Sequence, residues 1–164
     1  MTDPHRRDIL ALGAAAVALA VTWTVPARGG AAAPAAFRLG DAQWRARLSP
    51  AAYHVLREAG TEMPGSSPLN DQHGKGLFAC AGCALPLFSS ATKFDSGTGW
   101  PSFYDHLPAA IGERRDTSLG EPRTEVHCAR CAGHLGHVFD DGPRPTGLRY
   151  CMNGVALRFQ PRAA

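Results

Sequence analysis

Apolar and polar positions divide the chain into three stretches. The first, residues 1–27, holds an uncharged apolar run from Ile9 to Val25, behind Arg6-Arg7 and ending in the small-residue stretch Val25-Pro26-Ala27. A basic start, an apolar middle and a small-residue end make an export signal that lies outside the fold. Residues 28–40 are rich in Ala, Gly and Pro and form a flexible linker. From Asp41 the pattern breaks into short elements. Asp41 caps a helix that runs to Leu48. Ser49 followed by Pro50 is an N-cap with proline at the first helical position, and Gly60 is a stop. Between them Tyr53, Leu56 and Ala59 share one helical face toward the core. A polar loop over 61–75 follows, and beyond Gly76 the signals become β. Strands are expected at Leu77–Ala79, Leu85–Phe88, Thr124–His127, His134–Phe139, around Cys151, and at Val155–Phe159. Pro86 suits an edge strand or a bend.

Composition fits short strands and turns. There are 18 glycines and 13 prolines in 164 residues, enough for one domain with many turns. The net charge of +3 comes without a basic cluster in the body of the chain, and aromatic residues are not interleaved with Lys and Arg. Nucleic acid is therefore excluded as a partner class. Arg6-Arg7 followed by Asp8, Ile9 and Leu10 resembles a bacterial twin-arginine signal. Such a signal implies export to the periplasm and no stable membrane association once it is removed. The alternative is a chance arginine pair before an uncleaved anchoring helix, although the 17-residue run is shorter than the roughly 20 residues of a spanning helix. No cysteine near the cleavage region offers a lipid attachment point.

The five cysteines carry most of the chemistry. Four come as Cys80-Ala-Gly-Cys83 and Cys128-Ala-Arg-Cys131, and Cys151 stands alone. Two such knuckles supply four soft ligands to one tetrahedral zinc, and a four-cysteine set leaves no open position, so the metal is structural. The gap between the knuckles is longer than in a zinc ribbon, so they must meet across a folded insertion. Disulfides, or two redox dithiols, are the rival assignments, and an exported chain admits disulfides. Zinc would leave a single free thiol, Cys151. In a strand, Arg149, Cys151 and Asn153 point to one face and Tyr150 and Met152 to the other. A guanidinium beside a thiol favours the thiolate, its reactive form. The plainer alternative is a buried core cysteine in a zinc-ribbon binding module.

Cys80-Ala-Gly-Cys83, Ser96-Gly97-Thr98-Gly99-Trp100-Pro101-Ser102-Phe103, Cys128-Ala-Arg-Cys131, His134 through Pro143 and Pro145 through Asn153 together resemble the type B methionine-R-sulfoxide reductases, over roughly residues 41–160. The resemblance implies a mainly β catalytic domain of two antiparallel sheets in a roll or open barrel, with short N-terminal helices and one structural zinc per chain. It implies that the Cys151 thiolate attacks the sulfur of protein-bound methionine-R-sulfoxide and becomes a sulfenic acid. His137, supported by His134, would handle the proton. Because they lie three positions apart, a regular strand would put these histidines on opposite faces, and Gly136 would have to bend the chain. Arg149 would favour the thiolate or orient an acid such as Asp141, and Asn153 would hydrogen-bond within the site. Trp100 and Phe139 would wall the substrate methyl group. Asp140 and Asp141 equally suit a turn.

Thr98 departs from the family pattern. Many members carry a resolving cysteine there, and a hydroxyl cannot form a disulfide with Cys151. The expected enzyme is a monomer that repairs oxidised exported proteins or peptides and relies on an external thiol, thioredoxin-like or small, for recycling.

Overall fold

The computed structural model describes residues 33–162. The export signal over 1–27 lies outside the described residues, as does part of the linker. Among the described residues no helix is long and apolar enough to cross a membrane.

Two short helices open the domain, α1 (Asp41–Arg47) and α2 (Pro50–Glu58). Gly40, not Asp41, is the N-cap of α1; the Gln43 side chain accepts the Gly40 N–H at 2.8 Å, and Asp41 sits in the first turn, where the helix dipole favours a carboxylate. Ser49 caps α2 as expected, its Oγ accepting from the Ala52 N–H at 3.2 Å. Helix α2 ends at Glu58, two residues before Gly60. Ala59 takes the left-handed C-cap conformation at φ 55°, which removes it from the core face and leaves it exposed. The buried residues of α2 are Ala52, Tyr53, Val55 and Leu56. Contacts begin before α1: the Phe37 N–H donates to the Arg130 carbonyl at 2.8 Å, and the Phe37 ring lies edge-on to Trp44.

Nine strands follow, in two antiparallel sheets. Strands β1 (Gly76–Cys80), β2 (Pro86–Ser89) and β9 (Leu157–Pro161) form one sheet in the order β2-β1-β9. Pro86 therefore lies on an edge, where its missing N–H costs nothing. The larger sheet runs β3-β4-β8-β7-β6-β5. Its strands are β3 (Lys93–Phe94), β4 (Ser102–Phe103), β5 (Ile111–Asp116), β6 (Arg123–Cys128), β7 (His134–Phe139) and β8 (Arg149–Met152). Val155 belongs to a 3₁₀ turn, Gly154–Ala156, so the last strand starts two residues later than its apolar pattern suggests.

The sheets meet through aromatic rings. Phe88 of β2 stacks on Phe103 of β4 with centroids 4.4 Å apart, and Phe78 of β1 meets the same ring at 4.9 Å. All three are fully buried. Deleting any one ring would cost about 3–5 kcal/mol. Helix α2 packs here, with Leu56 lying against Gly82 inside the first knuckle and Gly133 just after the second. A Cβ on Gly133 would come to 2.8 Å from the Leu56 side chain, so the helix can approach this closely only because the position is glycine.

Candidate functional site

The four paired cysteines converge. Both knuckles use the same turn: the Ala84 N–H donates to the Cys80 carbonyl and the Ala132 N–H to the Cys128 carbonyl, with Ala84 and Ala132 at positive φ. The four sulfurs lie within 4.8 Å of one another and all four residues are buried. Cys80 and Cys131 are 3.7 Å apart, and Cys83 and Cys128 are 3.5 Å apart. Disulfides need about 2.05 Å, whereas four thiolates at about 2.3 Å from a tetrahedral centre stand roughly 3.8 Å from one another. The set therefore fits one tetrahedral metal ion and does not fit two disulfides. Contact with Cys128 pulls the Cys83 and Cys131 thiols down and pushes Cys80 up, while Cys131 pushes Cys128 up. Sulfurs this close cannot ionise alike unless a cation joins them.

Cys151 lies on β8, between β4 and β7. Its backbone faces Ser102 on one side and His137 on the other, and Phe139 faces Arg149 two residues along. Side chains on one face of a sheet recur every two residues, so His137, Cys151, Phe139 and Arg149 share a face. Tyr150 and Met152 point the other way, into the core. A Cβ at Gly136 would overlap the Cys151 carbonyl, so this glycine lets β7 and β8 close up beside the sulfur.

Cys151, Trp100, His137, Phe139 and Asn153 line one pocket of about 130 Å³. His134 and Arg149 do not reach it. His134 lines a neighbouring cleft that shares His137 with the pocket, and the two imidazoles meet edge-on at 5.4 Å. The bend that this requires is a bulge: Val126 faces Gly136 and His127 faces His134, leaving Leu135 as an extra residue buried in the core. Arg149 lies beneath the pocket wall. Its guanidinium packs 4.4 Å above the Phe139 ring and forks onto Asp141 at 2.7 and 2.8 Å. Bonding to Asp141 first, and then the Cys151 sulfur, holds Arg149 above the ordinary guanidinium pKa. Asp141 is thereby an ion-pair partner, whereas Asp140 is simply exposed.

Other residues at the site lie outside the motifs read from the sequence. Asp116, at the end of β5, accepts from Nε2 of His137 at 2.8 Å and from Arg123 at 2.7 Å on the same oxygen, and from the Ser118 N–H on the other. The Ser118 N–H and the His137 ring hold its carboxyl below the usual carboxylate range. For His137, burial pushes the pKa down, the Asp116 carboxylate pushes it up, and burial wins. With Nε2 on Asp116, Nδ1 remains for a ligand. Burial pushes Glu125 up, but Arg114 and His134 more than offset it, so Glu125 is an anion that accepts from Nδ1 of His134 at 2.7 Å. Glu62 ties the far wall together. Its carboxylate takes the Gly154 and Val155 N–H groups, its own N–H donates to Oδ1 of Asn153, and its carbonyl accepts the Trp100 indole N–H. Asn153 also donates from Nδ2 to the Leu135 carbonyl at 3.0 Å, which leaves one amide hydrogen for the pocket.

Comparison with known proteins accounts for this arrangement. Residues 48–161 match the family model described as SelR domain. The chain is 59% identical over 123 residues to a peptide methionine sulfoxide reductase MsrB of Thiobacillus denitrificans, covering 74% of this chain and 93% of the relative. A protein of the same name from Agrobacterium fabrum is 56% identical over 122 residues, covering 74% and 90%. One from Leptospira interrogans is 50% identical over 121 residues, covering 73% and 92%. With a matched domain across most of the described residues, and a half-exposed cysteine in a pocket apart from a four-sulfur cluster, the chain belongs to the SelR family of type B methionine sulfoxide reductases.

Proposed function

We propose that this protein reduces protein-bound methionine-R-sulfoxide to methionine at Cys151, with an external thiol as reductant. One observation carries the proposal: Cys151 is the only described cysteine outside the cluster, and its sulfur lies in a pocket with an indole, an imidazole and an amide. Trp100 and Phe139 pack against the S-methyl group, which suits an aromatic wall. Cys151 attacks the sulfoxide sulfur. The oxygen leaves that sulfur more easily as it gains a proton, which Nδ1 of His137 supplies. The remaining Nδ2 hydrogen of Asn153 faces the same oxygen. In balance, thiol plus sulfoxide gives sulfenic acid plus thioether. One external thiol then converts the sulfenic acid to a mixed disulfide and water, and a second releases Cys151. Thr98 cannot serve as the first of these thiols.

The four-sulfur cluster suits zinc, one per chain, as a structural ion. The protein acts as a monomer on oxidised exported proteins. Residues 1–27 direct it through the twin-arginine route to the periplasm, and an uncleaved N-terminal anchor is the alternative address. Folding before export would let the metal load first and shield four thiols from oxidation.

The direct test is a mass measurement after mixing the protein with a peptide sulfoxide in the absence of thiols. One added oxygen on Cys151, matched by one methionine released, is expected. A protein that returns the sulfoxide unreacted is not a reductase.

A second test concerns the proton. The Asp116 carboxylate raises the His137 pKa against burial and Arg123. Asp116→Asn lowers it further, so less imidazolium is present at pH 7. We expect kcat/KM to fall about 10- to 100-fold at pH 7, within the range that positioned acid groups contribute. The deficit should shrink toward pH 5.5, as acid restores the protonated ring. A deficit that does not change with pH would reduce Asp116 to a brace for the β5–β6 turn.

A further inference from the structure

On the β4 side of Cys151, opposite His137, three hydroxyls stand in a row. Ser102 faces Cys151 across the β4–β8 pair and is 1% exposed. Its Oγ lies 3.1 Å from the Trp100 carbonyl oxygen and 2.7 Å from Oγ of Ser96. Ser96 Oγ lies 2.8 Å from Oγ1 of Thr98, and Thr98 Oγ1 lies 3.8 Å from the Cys151 sulfur. The loop that aligns them turns at Gly97 and Gly99, with φ of 68° and 89°, on either side of Thr98. Both are left-handed conformations that suit glycine.

The direction of this row follows from counting hydrogens. Each hydroxyl carries one hydrogen and two lone pairs. A carbonyl oxygen only accepts, so the Ser102 hydrogen is committed to Trp100. Ser102 must then accept from Ser96, and Ser96 from Thr98. The Thr98 hydrogen is spent on Ser96, so Thr98 presents a lone pair to the sulfur. Such an acceptor serves a form of Cys151 that carries a hydrogen. It does nothing for a thiolate, which has only lone pairs of its own.

We propose that Ser102, Ser96 and Thr98 form a one-directional hydrogen-bond chain, anchored on the Trp100 carbonyl, that holds the O–H hydrogen of the Cys151 sulfenic acid until the external thiol arrives. The proposal rests on the reductase reading above, because that reaction forms the sulfenic acid. Thr98 is then a positioning residue. It stands where a second cysteine would have consumed the sulfenic acid, and instead it retains that intermediate for an outside partner. The subsequent step balances without it: the attacking thiol joins its sulfur to that of Cys151, and its hydrogen leaves with the sulfenic hydroxyl as water. Reversing the row so that Thr98 donates to the sulfur would break the Ser102 bond to Trp100.

The test uses a single turnover with a peptide sulfoxide and no thiol, followed by a delay and then a 1,3-diketone that alkylates sulfenic acids. In Thr98→Val the trappable sulfenic acid should disappear about 5-fold faster than in the unaltered protein, the factor that one ordinary hydrogen bond is worth. Thr98→Ser should restore its lifetime, which a purely steric role for the threonine methyl would not. Ser102→Ala supplies an independent reading. Without the anchor the row can reverse and donate to a thiolate, so the pH midpoint of Cys151 alkylation by iodoacetamide should move to lower pH. Unchanged lifetime in Thr98→Val, or an unmoved midpoint in Ser102→Ala, overturns the chain. An unaltered protein that forms no sulfenic acid and releases no methionine would instead overturn the reductase reading.

Discussion

Replacing Cys151 by serine is expected to abolish methionine release while leaving the fold and the bound metal intact. The loss should exceed that of any other single substitution in the pocket. Sulfur can accept the sulfoxide oxygen and remain a stable, if reactive, sulfenic acid. A serine oxygen in the same place would have to become a hydroperoxide, a far less stable product. The serine hydroxyl is also a poorer nucleophile than a thiol or thiolate. By contrast, His137→Asn removes a proton donor and leaves the attacking sulfur, so its expected loss is about 10²- to 10⁴-fold. Structurally the substitution at 151 is mild. Cys151 is half-buried on a strand whose core contacts are made by Tyr150 and Met152. Release measured by chromatography, with metal content measured on the same sample, checks both halves of the expectation. A Cys151→Ser protein that still turns over would place the chemistry on another atom.

The parts of the site that were legible in the sequence are those fixed by short spacings. Each knuckle brings two thiols together within four residues, and strand alternation puts Arg149 and Cys151 on one face without any knowledge of partners. The place of Trp100 at a pocket was legible from its glycine-rich loop, where a side chain borders a pocket more readily than a core. Asp116, Arg123, Glu125 and Glu62 were not legible, because their importance comes from pairing across the sheet. Arg123 faces Asp116 across the β5–β6 pair, and Glu62 reaches Gly154 from 92 positions away. Strand β5 itself, Ile-Gly-Glu-Arg-Arg-Asp, has too few apolar residues to declare a strand; as the edge of its sheet it is held by β6 and stays largely exposed. One signal was available in hindsight. An isolated acid followed two residues later by Ser, in a turn between strands, suits a carboxylate that accepts from its own backbone, and Asp116 does this with the Ser118 N–H. Ala59 shows the opposite limit. Glycine is the usual left-handed helix stop, so Gly60 drew the boundary to itself, but the alanine before it took that conformation.

The same exchange of sulfur for oxygen at Cys128 is expected to do the reverse of what it does at Cys151. Cys80 ends β1 in the smaller sheet and Cys128 ends β6 in the larger one, so a metal held by both knuckles ties the two sheets together. Leu56 of α2 packs against Gly82 in the first knuckle and Gly133 just after the second, which ties the helix to the same point. Binding of a structural zinc supplies about 10–16 kcal/mol of folding free energy in small zinc domains. The net stability of a typical domain is about 5–15 kcal/mol. Removing the ion therefore takes away as much as the whole fold retains, where loss of one core phenylalanine would take about 3–5 kcal/mol. Four thiols would also be left buried without the cation that lets them ionise together. We expect chelated protein to lose its cooperative melting transition, and Cys128→Ser to lose both metal and native far-ultraviolet dichroism. Activity would fall with the fold, since β7 and β8, which carry His137 and Cys151, continue from the second knuckle. A chelated protein that melts cooperatively within a few degrees of the metal-loaded one would show that packing alone joins the sheets, and that the cluster serves some purpose other than holding them.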